Sequence, residues 1–396
     1  MNTQEIMTRG EEVLLHAYGR YPIVMDHGEG VTLYDTNGKK YLDFGAGIAV
    51  CGLGYNDPEL NAAVMEQAGK LFHCSNYFYN EPAVRAAERL CRLSGMDRVF
   101  FCNSGTEAIE GAMKDALRYA YDRDGRPGHE IIAMKHGFHG RTLGALSMTG
   151  NAHYQDPFKP LISGVHFADY NDLDSVKALV NDNTCAIILE AVQGEGGIYE
   201  ASEEFITGIR EICDERDILM ICDEIQCGMG RTGLMFACTR YGILPDIMTM
   251  AKALGNGIPI GAFLTTEKAA ALKPGDHGST YGGNPLACAA ADKILEIFEK
   301  RDLPGRAASV GAYLYEKLEA LKESSPAVTD HRGVGLMQGL EFDRPVGEII
   351  KKAQEAGVLL LNAGSNVIRF VPPLVITEED VDAMMAVLTP IVEGLE

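Results

Sequence analysis

The sequence lacks several features that would place it in whole classes of protein. Its ten cysteines include no C-x-x-C pair, and it has no run of about 18 apolar residues that could cross a membrane. The first 20 residues also show no basic stretch followed by an apolar run, so we predict no secretory leader. We therefore expect a cytoplasmic protein without a zinc ribbon, a disulfide framework or a membrane span.

Positive charge is scarce as well. Lys plus Arg number 35 against 56 Asp plus Glu, which gives a formal net charge of −21 at pH 7. A surface of that sign repels phosphate backbones and anionic lipids, so we expect neither nucleic-acid nor membrane binding. We interpret the acidity as a contribution to solubility rather than as a sign of a cationic ligand.

Common catalytic motifs are missing too. The chain has no G-x-x-x-x-G-K-[ST] loop, no G-x-S-x-G and no H-E-x-x-H. Residues 228–233 spell G-x-G-x-x-G, but Gly242 and Pro245 leave too little helix after it for a dinucleotide site. His136 and His139 have no acidic residue at a metal-ligand spacing, so we predict no metal and a role within a loop.

What is present indicates an α/β protein. The segment IVMDHGEGVTLYDTNGKKYLDF alternates around Asn37-Gly38, which predicts a β-hairpin. Short apolar runs then alternate with helical patterns, which predicts a mainly parallel sheet covered on both faces. We predict an arm and hairpin that pack on the small domain (1–50), a large domain (51–280), and linking helices with a smaller α+β domain (281–396). Helices are predicted at 4–17, 58–71, 81–94, 104–121, 172–181, 202–216 and 346–356, with two more between 285 and 323.

Polar residues follow two of the apolar runs. Ser104, Gly105 and Thr106 lie between the run FFC and a helical segment, where the helix dipole favours a phosphate. A plain helix cap completed by Glu107 explains the same residues equally well. Asp223 ends the run ILMICD, and a buried carboxylate at that edge of a sheet needs a cation or strong hydrogen-bond donors.

Lys252 follows a third apolar run, DIMTMA. A buried lysine has a lowered pKa and becomes a nucleophile towards aldehydes. A phosphate loop, a carboxylate for a ring nitrogen and an amine for an aldehyde together describe a site for pyridoxal 5′-phosphate (PLP), provided that the three loops converge.

Seven motifs, in this order, resemble the class III PLP-dependent aminotransferases across nearly the whole chain. They are NSGTEA, HGFHGRT, EAVQGEGG, DEIQCGMGRTG, AKALGNGIPIGA, STYGGNPLA and RFVPPL. The resemblance implies a fold type I PLP-dependent transferase, with a large domain around a mainly parallel sheet and a smaller α+β domain at the carboxyl end. Within the family, the acetylornithine aminotransferases are the most similar, and the ornithine aminotransferases come next.

The resemblance also implies roles around the cofactor. Lys252 would bind PLP covalently and move the substrate proton, and Asp223 would pair with the pyridine nitrogen. The other cofactor-binding residues carried over are Ser104, Gly105 and Thr106 at the phosphate, Phe138 stacked on the ring, Gln226 near the phenolic oxygen, and Thr280 at the phosphate of the other subunit. The last of these implies a homodimer with shared active sites.

Substrate-binding roles follow from the same resemblance. Arg369 would bind the α-carboxylate of glutamate, and Arg141 the second carboxylate or the carboxylate of an ω-amino donor. Glu195 would pair with Arg369 while the uncharged part of that donor occupies the site, and Tyr18 and Ile48 would line its pocket. The implied reaction moves the ω-amino group of N2-acetyl-L-ornithine to 2-oxoglutarate, giving N-acetyl-L-glutamate 5-semialdehyde and L-glutamate, a step of arginine biosynthesis.

The sequence departs from the family pattern at a few positions. Ala191 replaces a proline, and Cys51 and Tyr55 replace the usual asparagine and histidine, which puts the amino-terminal part of the site in question. Ile48 stands where ornithine enzymes tend to carry tyrosine, which favours an acylated amino donor. Ornithine, succinylornithine and 4-aminobutyrate stay open as donors, and so does a related decarboxylase or aminomutase. A non-catalytic protein would be expected to have lost the lysine, aspartate and arginine that are all present here.

Overall fold

The computed structural model describes residues 1–395, and Glu396, the last residue of the predicted third region, lies outside the described residues. The helices are α1 (Thr3–Val13), α2 (Ala46–Ala49), α3 (Pro58–Ala68), α4 (Glu81–Ser94), α5 (Gly105–Asp124), α6 (Leu143–Ser147), α7 (Ala152–Gln155), α8 (Leu173–Leu179), α9 (Glu203–Arg216), α10 (Pro285–Lys300), α11 (Leu303–Ser324), α12 (Gly347–Glu355) and α13 (Glu378–Glu393). The strands are β1 (Met25–Glu29), β2 (Thr32–Asp35), β3 (Lys40–Asp43), β4 (Arg98–Cys102), β5 (Glu130–Met134), β6 (Val165–Ala168), β7 (Thr184–Leu189), β8 (Val192–Gln193), β9 (Tyr199–Glu200), β10 (Leu219–Asp223), β11 (Ile247–Met250), β12 (Gly261–Thr265), β13 (Val328–Val334), β14 (Met337–Phe342), β15 (Val358–Leu359), β16 (Leu361–Ala363) and β17 (Val367–Phe370).

A seven-stranded sheet of order β4-β12-β11-β10-β7-β5-β6 forms the centre of the molecule. Strands β11, β10, β7, β5 and β6 pair in parallel. Strand β12 alone runs the other way, because it pairs antiparallel with both β11 and β4. The predicted mainly parallel α/β sheet is therefore confirmed.

Both faces of this sheet are covered. All positions of β7, β10 and β11 are buried, which explains why these strands read as unbroken apolar runs. In β7, Ile188 packs with Ile109 of α5 on one face, whereas Ile187 and Leu189 belong to the core on the other face, with Phe205 of α9. Polar side chains therefore occur where these strands end, as at Asp223 of β10, which is itself buried.

Two smaller sheets flank the centre. Strands β13, β14, β17 and β16 form an antiparallel sheet in that order. The hairpin strands β1, β2 and β3 are joined by β15, which pairs in parallel with β3 and so ties the amino-terminal hairpin to the carboxyl-terminal part of the chain. The division at residues 50 and 280 stays a prediction.

Some elements end earlier than their sequence pattern suggests. The helix predicted at 4–17 ends at Val13, because α1 buries none of its side chains and packing is what extends a helix beyond its propensity. The run 332–342 divides into β13 and β14 at a turn where Gly335 has a φ of +58°. The helix predicted at 58–71 ends at Ala68.

The structure also bears on the absences read from the sequence. Within residues 1–395, no helix is long and apolar enough to span a membrane. Over the same range, no group of three or more His, Cys, Asp or Glu side chains is arranged to hold a metal ion. All ten cysteines are free, and seven of them are buried.

Candidate active site

Asp223 and Lys252 meet at the carboxyl edge of the central sheet. Asp223 is the last residue of β10, and Lys252 follows the neighbouring parallel strand β11. Both line a cavity of about 530 Å³ together with Ser104, Gly105 and Thr106. The three loops singled out in the sequence therefore converge where open α/β sheets hold their ligands.

Asp223 is held by three hydrogen bonds. Its Oδ1 accepts from the Ile225 amide at 3.0 Å and from Thr249 Oγ1 at 3.2 Å, and its Oδ2 lies 2.7 Å from His139 Nδ1. Burial lowers the pKa of His139, but the hydrogen bond to Asp223 and the negative charges of Asp223 and Glu190 together outweigh burial and leave that pKa raised. The His139 imidazole and the donors at Oδ1 together fix the orientation of the Asp223 carboxylate.

His139 was assigned only a loop role from the sequence. Its side chain is buried, and its contact with Asp223 joins residues 84 positions apart in the chain. The motif HGFHGRT contained it, but spacing alone does not show which strand end the second histidine reaches.

Burial and the charges around Lys252 shift its pKa in opposite directions. Burial lowers its pKa to about 8, while the charges of Glu195 and Asp223 act to raise it and that of Arg369 to lower it. Its φ of +45° is unusual for a residue with a long side chain, and such conformations cluster at functional sites. A substantial fraction of the amine is neutral in mildly alkaline solution, as a nucleophile requires.

The amino terminus of the 20-residue helix α5 faces the cavity. Ser104 caps it, since its hydroxyl accepts from the Glu107 amide at 3.3 Å. A Cβ on Gly105 would come within 2.9 Å of Ile225, so the backbone can approach closely only because the residue is glycine. Thr106 Oγ1 accepts from the Thr142 amide at 3.2 Å. The predicted Ser104 cap is present, but Glu107 does not complete it, because its carboxylate accepts from the Asn103 amide and not from that of Ser104. The same helix end suits an anion.

Glu190 is a buried carboxylate in this cavity that sequence reasoning missed. Its Oε1 accepts from the Phe138 amide at 2.9 Å and its Oε2 from the Gly194 amide at 3.0 Å. Burial raises its pKa, an effect that the charge of His139 opposes and that of Asp223 reinforces. The signal was available, because Glu190 ends an apolar run just as Asp223 does.

Arg369 and Glu195 form an ion pair beside the cavity. Arg369 Nη1 lies 2.5 Å from Glu195 Oε1 and donates to Gln226 Oε1 at 2.9 Å, while Gln226 Nε2 donates to the same Glu195 oxygen at 3.3 Å. Burial raises the pKa of Glu195, but the charge and hydrogen bond of Arg369, together with Lys252 and Gln226, outweigh burial and leave that pKa lowered. Within residues 1–395, the buried Nε of Arg369 has no partner, so the guanidinium retains a hydrogen-bond donor.

The remaining predicted residues lie at different distances from this centre. Phe138, Arg141 and Tyr18 line the cavity, and Arg141 Cζ lies 5.3 Å from the centre of the Phe138 ring. Ile48 instead lines an adjoining cavity of about 770 Å³. Thr280 is exposed, and within residues 1–395 it is not among the lining residues of either cavity. Its predicted place is the site of another subunit, which a single chain does not contain.

Comparison with known proteins decides the family. Residues 14–392 match the family model of the class III aminotransferases. The chain belongs to the class III aminotransferases. Members of this family are PLP-dependent transaminases, so the resemblance seen in the motifs, the enzyme class and the cofactor are all confirmed.

Individual relatives span nearly the full chain. An acetylornithine aminotransferase from Clostridium acetobutylicum is 47% identical over 376 residues, which cover 94% of this chain and 97% of that protein. An ornithine aminotransferase from Toxoplasma gondii, which has PLP at partial occupancy in its active site, is 31% identical with a TM-score of 0.95, covering 100% of this chain and 95% of that chain. An N-acetylornithine aminotransferase from Stenotrophomonas maltophilia is 36% identical with a TM-score of 0.84, covering 98% of both chains.

The residues of this aminotransferase fit PLP chemically. One part of the cavity offers the α5 amino terminus for a phosphate, and another offers Asp223 for a protonated ring nitrogen. Lys252 supplies an amine of lowered pKa for the aldehyde, and Phe138 supplies an aromatic face.

Proposed function

We propose that this chain transfers the ω-amino group of N2-acetyl-L-ornithine to 2-oxoglutarate, giving N-acetyl-L-glutamate 5-semialdehyde and L-glutamate within arginine biosynthesis. The observation that carries the proposal is the Glu195–Arg369 pair beside the cavity of Lys252. Glu195 can neutralise the charge of Arg369. Such a pair suits an enzyme with two substrates, of which one has a carboxylate and the other a neutral chain at the position next to the arginine. The 47% identity to an acetylornithine aminotransferase supports the choice of amino donor.

Lys252 and Asp223 carry the chemistry in this proposal. When bound, PLP supplies an aldehyde that captures the amino group and a ring that accepts the electron pair left when the substrate loses its proton. Lys252 Nζ, as the neutral amine, would take that proton from the carbon bearing the amino group and deliver it to the cofactor carbon that carried the aldehyde, so that the amino group stays with the cofactor when the oxo product leaves. Asp223, supported by His139, would hold the proton on the ring nitrogen and so keep the ring electron-poor.

The Glu195–Arg369 pair distinguishes the two half-reactions. While the neutral methylene chain of the ω-amino donor lies near Arg369, Glu195 keeps that charge neutralised, and Gln226 holds both side chains in place. When glutamate binds, its α-carboxylate replaces Glu195, and Arg369 can bind it with two nitrogens. Arg141, exposed at the cavity, is placed for the carboxylate at the far end of either substrate.

A homodimer with shared sites is part of the proposal. Thr280 would reach the cofactor phosphate of the other subunit from an exposed loop that continues into Tyr281. Tyr281 and the three aromatic residues 77–79 are each at least 64% exposed, and apolar surface of this kind on a soluble chain is typical of an interface. Light scattering of the holoenzyme should give twice the chain mass of 42.9 kDa. A cytoplasmic location stays a prediction.

Ornithine is the strongest competing amino donor, because the ornithine aminotransferase of Toxoplasma gondii has nearly the same fold. That likeness comes with 31% identity, against 47% for the acetylornithine enzyme of Clostridium acetobutylicum. Fold is shared across many substrates, so the closer sequence carries more weight.

Half-reaction kinetics of the holoenzyme test the proposal. The visible absorbance of the bound cofactor is followed after mixing with N2-acetyl-L-ornithine, ornithine, succinylornithine or 4-aminobutyrate, each in the absence of 2-oxoglutarate. We expect the largest second-order rate constant with N2-acetyl-L-ornithine. A larger constant with any of the other three donors would overturn the assignment, and no spectral change with any of them would overturn the transamination itself.

A further inference from the structure

A left-handed turn lies beside the site. The φ angles of the four residues of α2 are +47° at Ala46, +64° at Gly47, +67° at Ile48 and +61° at Ala49. Three of the four carry side chains, for which the left-handed region is unfavourable, and runs of such residues are rare. Neighbouring groups must therefore hold the turn in place.

Asp43 holds the beginning of the turn. Its Oδ1 accepts hydrogen bonds from the Gly45 amide at 2.8 Å and from the Ala46 amide at 3.1 Å. The side chain is buried, so it cannot exchange these amides for water. The orientation of one carboxylate thus fixes where the left-handed turn starts.

Tyr55 in turn fixes Asp43. Its hydroxyl donates to Asp43 Oδ2 at 2.5 Å, and burial raises the pKa of Tyr55, so the hydroxyl stays protonated. Tyr55 also exchanges backbone hydrogen bonds with Gly30 at 2.8 and 3.0 Å. Its ring packs so closely on Gly28 that a Cβ there would lie 2.6 Å from the ring. Tyr55 is one of the residues at which this chain departs from the family pattern.

The turn separates two cavities. Val50, the residue directly after it, lines the cavity that contains Lys252. Gly47 and Ile48 line the adjoining cavity, as Asp43 and Tyr55 do. Residues 46–50 are all apolar, so this part of the wall contributes shape, whereas the charged lining residues of the adjoining cavity, Glu11, Arg20 and Asp43, lie outside it. The clamp for a carboxylate is built elsewhere, from β17 and the loop after β8.

We propose that Tyr55 is a positioning residue for the amino-donor half-reaction: through Asp43 it holds the left-handed turn 46–49, and with it the apolar wall that selects the neutral chain of an acylated amino donor. The inference rests on the proposed function for the identity of that donor. Glutamate and 2-oxoglutarate depend on Arg369 and Arg141 instead, so their half-reaction should be much less sensitive to the wall.

The variant Tyr55→Phe tests this, since it removes the hydroxyl and keeps the ring. The chain offers a matched control in Tyr41→Phe. Tyr41 is buried, whereas Tyr55 is half-buried, and it donates to Asp35 Oδ2 at 3.2 Å. Asp35 Oδ1 likewise accepts from two turn amides, but that turn is the hairpin between β2 and β3. Both half-reactions are measured on the holoenzymes of wild type and of the two variants.

We expect Tyr55→Phe to raise the KM for N2-acetyl-L-ornithine about tenfold, because a buried carboxylate oxygen loses its partner, and to leave the KM for glutamate within about twofold. Tyr41→Phe should leave both within about twofold. Equal changes of the two KM values in Tyr55→Phe, no change in either, or the same split in Tyr41→Phe would overturn the proposal.

Gly47→Ala provides a second route that leaves Tyr55 untouched. A Cβ there meets nothing closer than 3.7 Å, so the substitution acts through the backbone preference at a φ of +64°. It should also raise the KM for the amino donor selectively, and an equal effect on glutamate would contradict the inference. If wild type uses ornithine rather than N2-acetyl-L-ornithine, the proposed function fails, and the split is then measured with ornithine.

Discussion

The two ends of the active site hold their charged groups in different ways. At the cofactor end, Asp223 is 3% exposed and both of its oxygens are hydrogen-bonded, to Ile225, Thr249 and His139. At the substrate end, the Glu195 side chain is 24% exposed and contacts Arg369 and Gln226 through a single oxygen. A side-chain rotation would free Glu195, whereas no comparable movement would free Asp223.

This difference matches what each end has to do. The proton on the ring nitrogen is needed in both half-reactions, so a permanently fixed carboxylate serves it. In the proposed reaction the clamp would meet a carboxylate in one half-reaction and a neutral chain in the other, so a removable counter-charge would serve it. Substitutions at the cofactor end should therefore impair both half-reactions alike, and those at the substrate end should separate them.

Loss of Lys252 should have the largest effect. Lys252→Ala removes both the covalent attachment and the proton carrier, so we expect turnover to fall about 10⁴-fold or more. Borohydride reduction followed by mass spectrometry should find the cofactor on Lys252 in wild type and on no lysine in the variant. Lys159→Ala, at an exposed ion pair with Asp156, is the control. Retained labelling in Lys252→Ala would contradict the assignment.

Asp223→Asn should have the next largest effect. It keeps the shape of the side chain but removes the negative charge that holds the ring proton, so both half-reactions should slow about 10²- to 10³-fold and by similar factors. Asp246→Asn is the control for general destabilisation, because Asp246 is a buried carboxylate that binds Arg210 and the Met220 amide just before β11 begins. A loss of rate in only one half-reaction would contradict the difference inferred between the cofactor end and the substrate end of the site.

The pH dependence of cofactor attachment should show a smaller effect. The pKa of Lys252 is lowered to about 8, and the nucleophile is the neutral form, which predominates above that pKa. The rate at which PLP attaches to the apoenzyme should therefore rise up to tenfold per pH unit below about pH 8 and level off above it. A rate that keeps rising to pH 10 would show that the pKa of Lys252 is not lowered.

Much of the cofactor end could be predicted from the sequence because each of its groups follows one apolar run. Asp223 and Lys252 end neighbouring strands, and the position of a residue at a strand end is a local property. Glu190 was missed although it follows an apolar run as Asp223 does, whereas the role of His139 arises only when separate segments meet. Whether His136 or His139 contacts Asp223 depends on how the chain packs, and the spacing of the two histidines in the sequence does not predict it.

The fold also has parts that the sequence predicts and parts that it does not. The parallel order of the central strands followed from alternating runs and helices, but the reversed direction of β12 did not, because its run GAFL looks like the others. The pairing of β15 with β3 joins segments over 300 residues apart and left no local signal. The left-handed turn of α2 was equally hidden, since alanine and isoleucine are not residues that indicate such a conformation.

The central claim is that the charge of Glu195 is removable and serves one half-reaction only. Single-turnover kinetics of Glu195→Gln test it most directly, because the variant keeps the size of the side chain and leaves Arg369 without its counter-charge. We predict that the half-reaction with N2-acetyl-L-ornithine slows while that with glutamate keeps or exceeds its wild-type rate. A slowing of both half-reactions by the same factor would contradict the account.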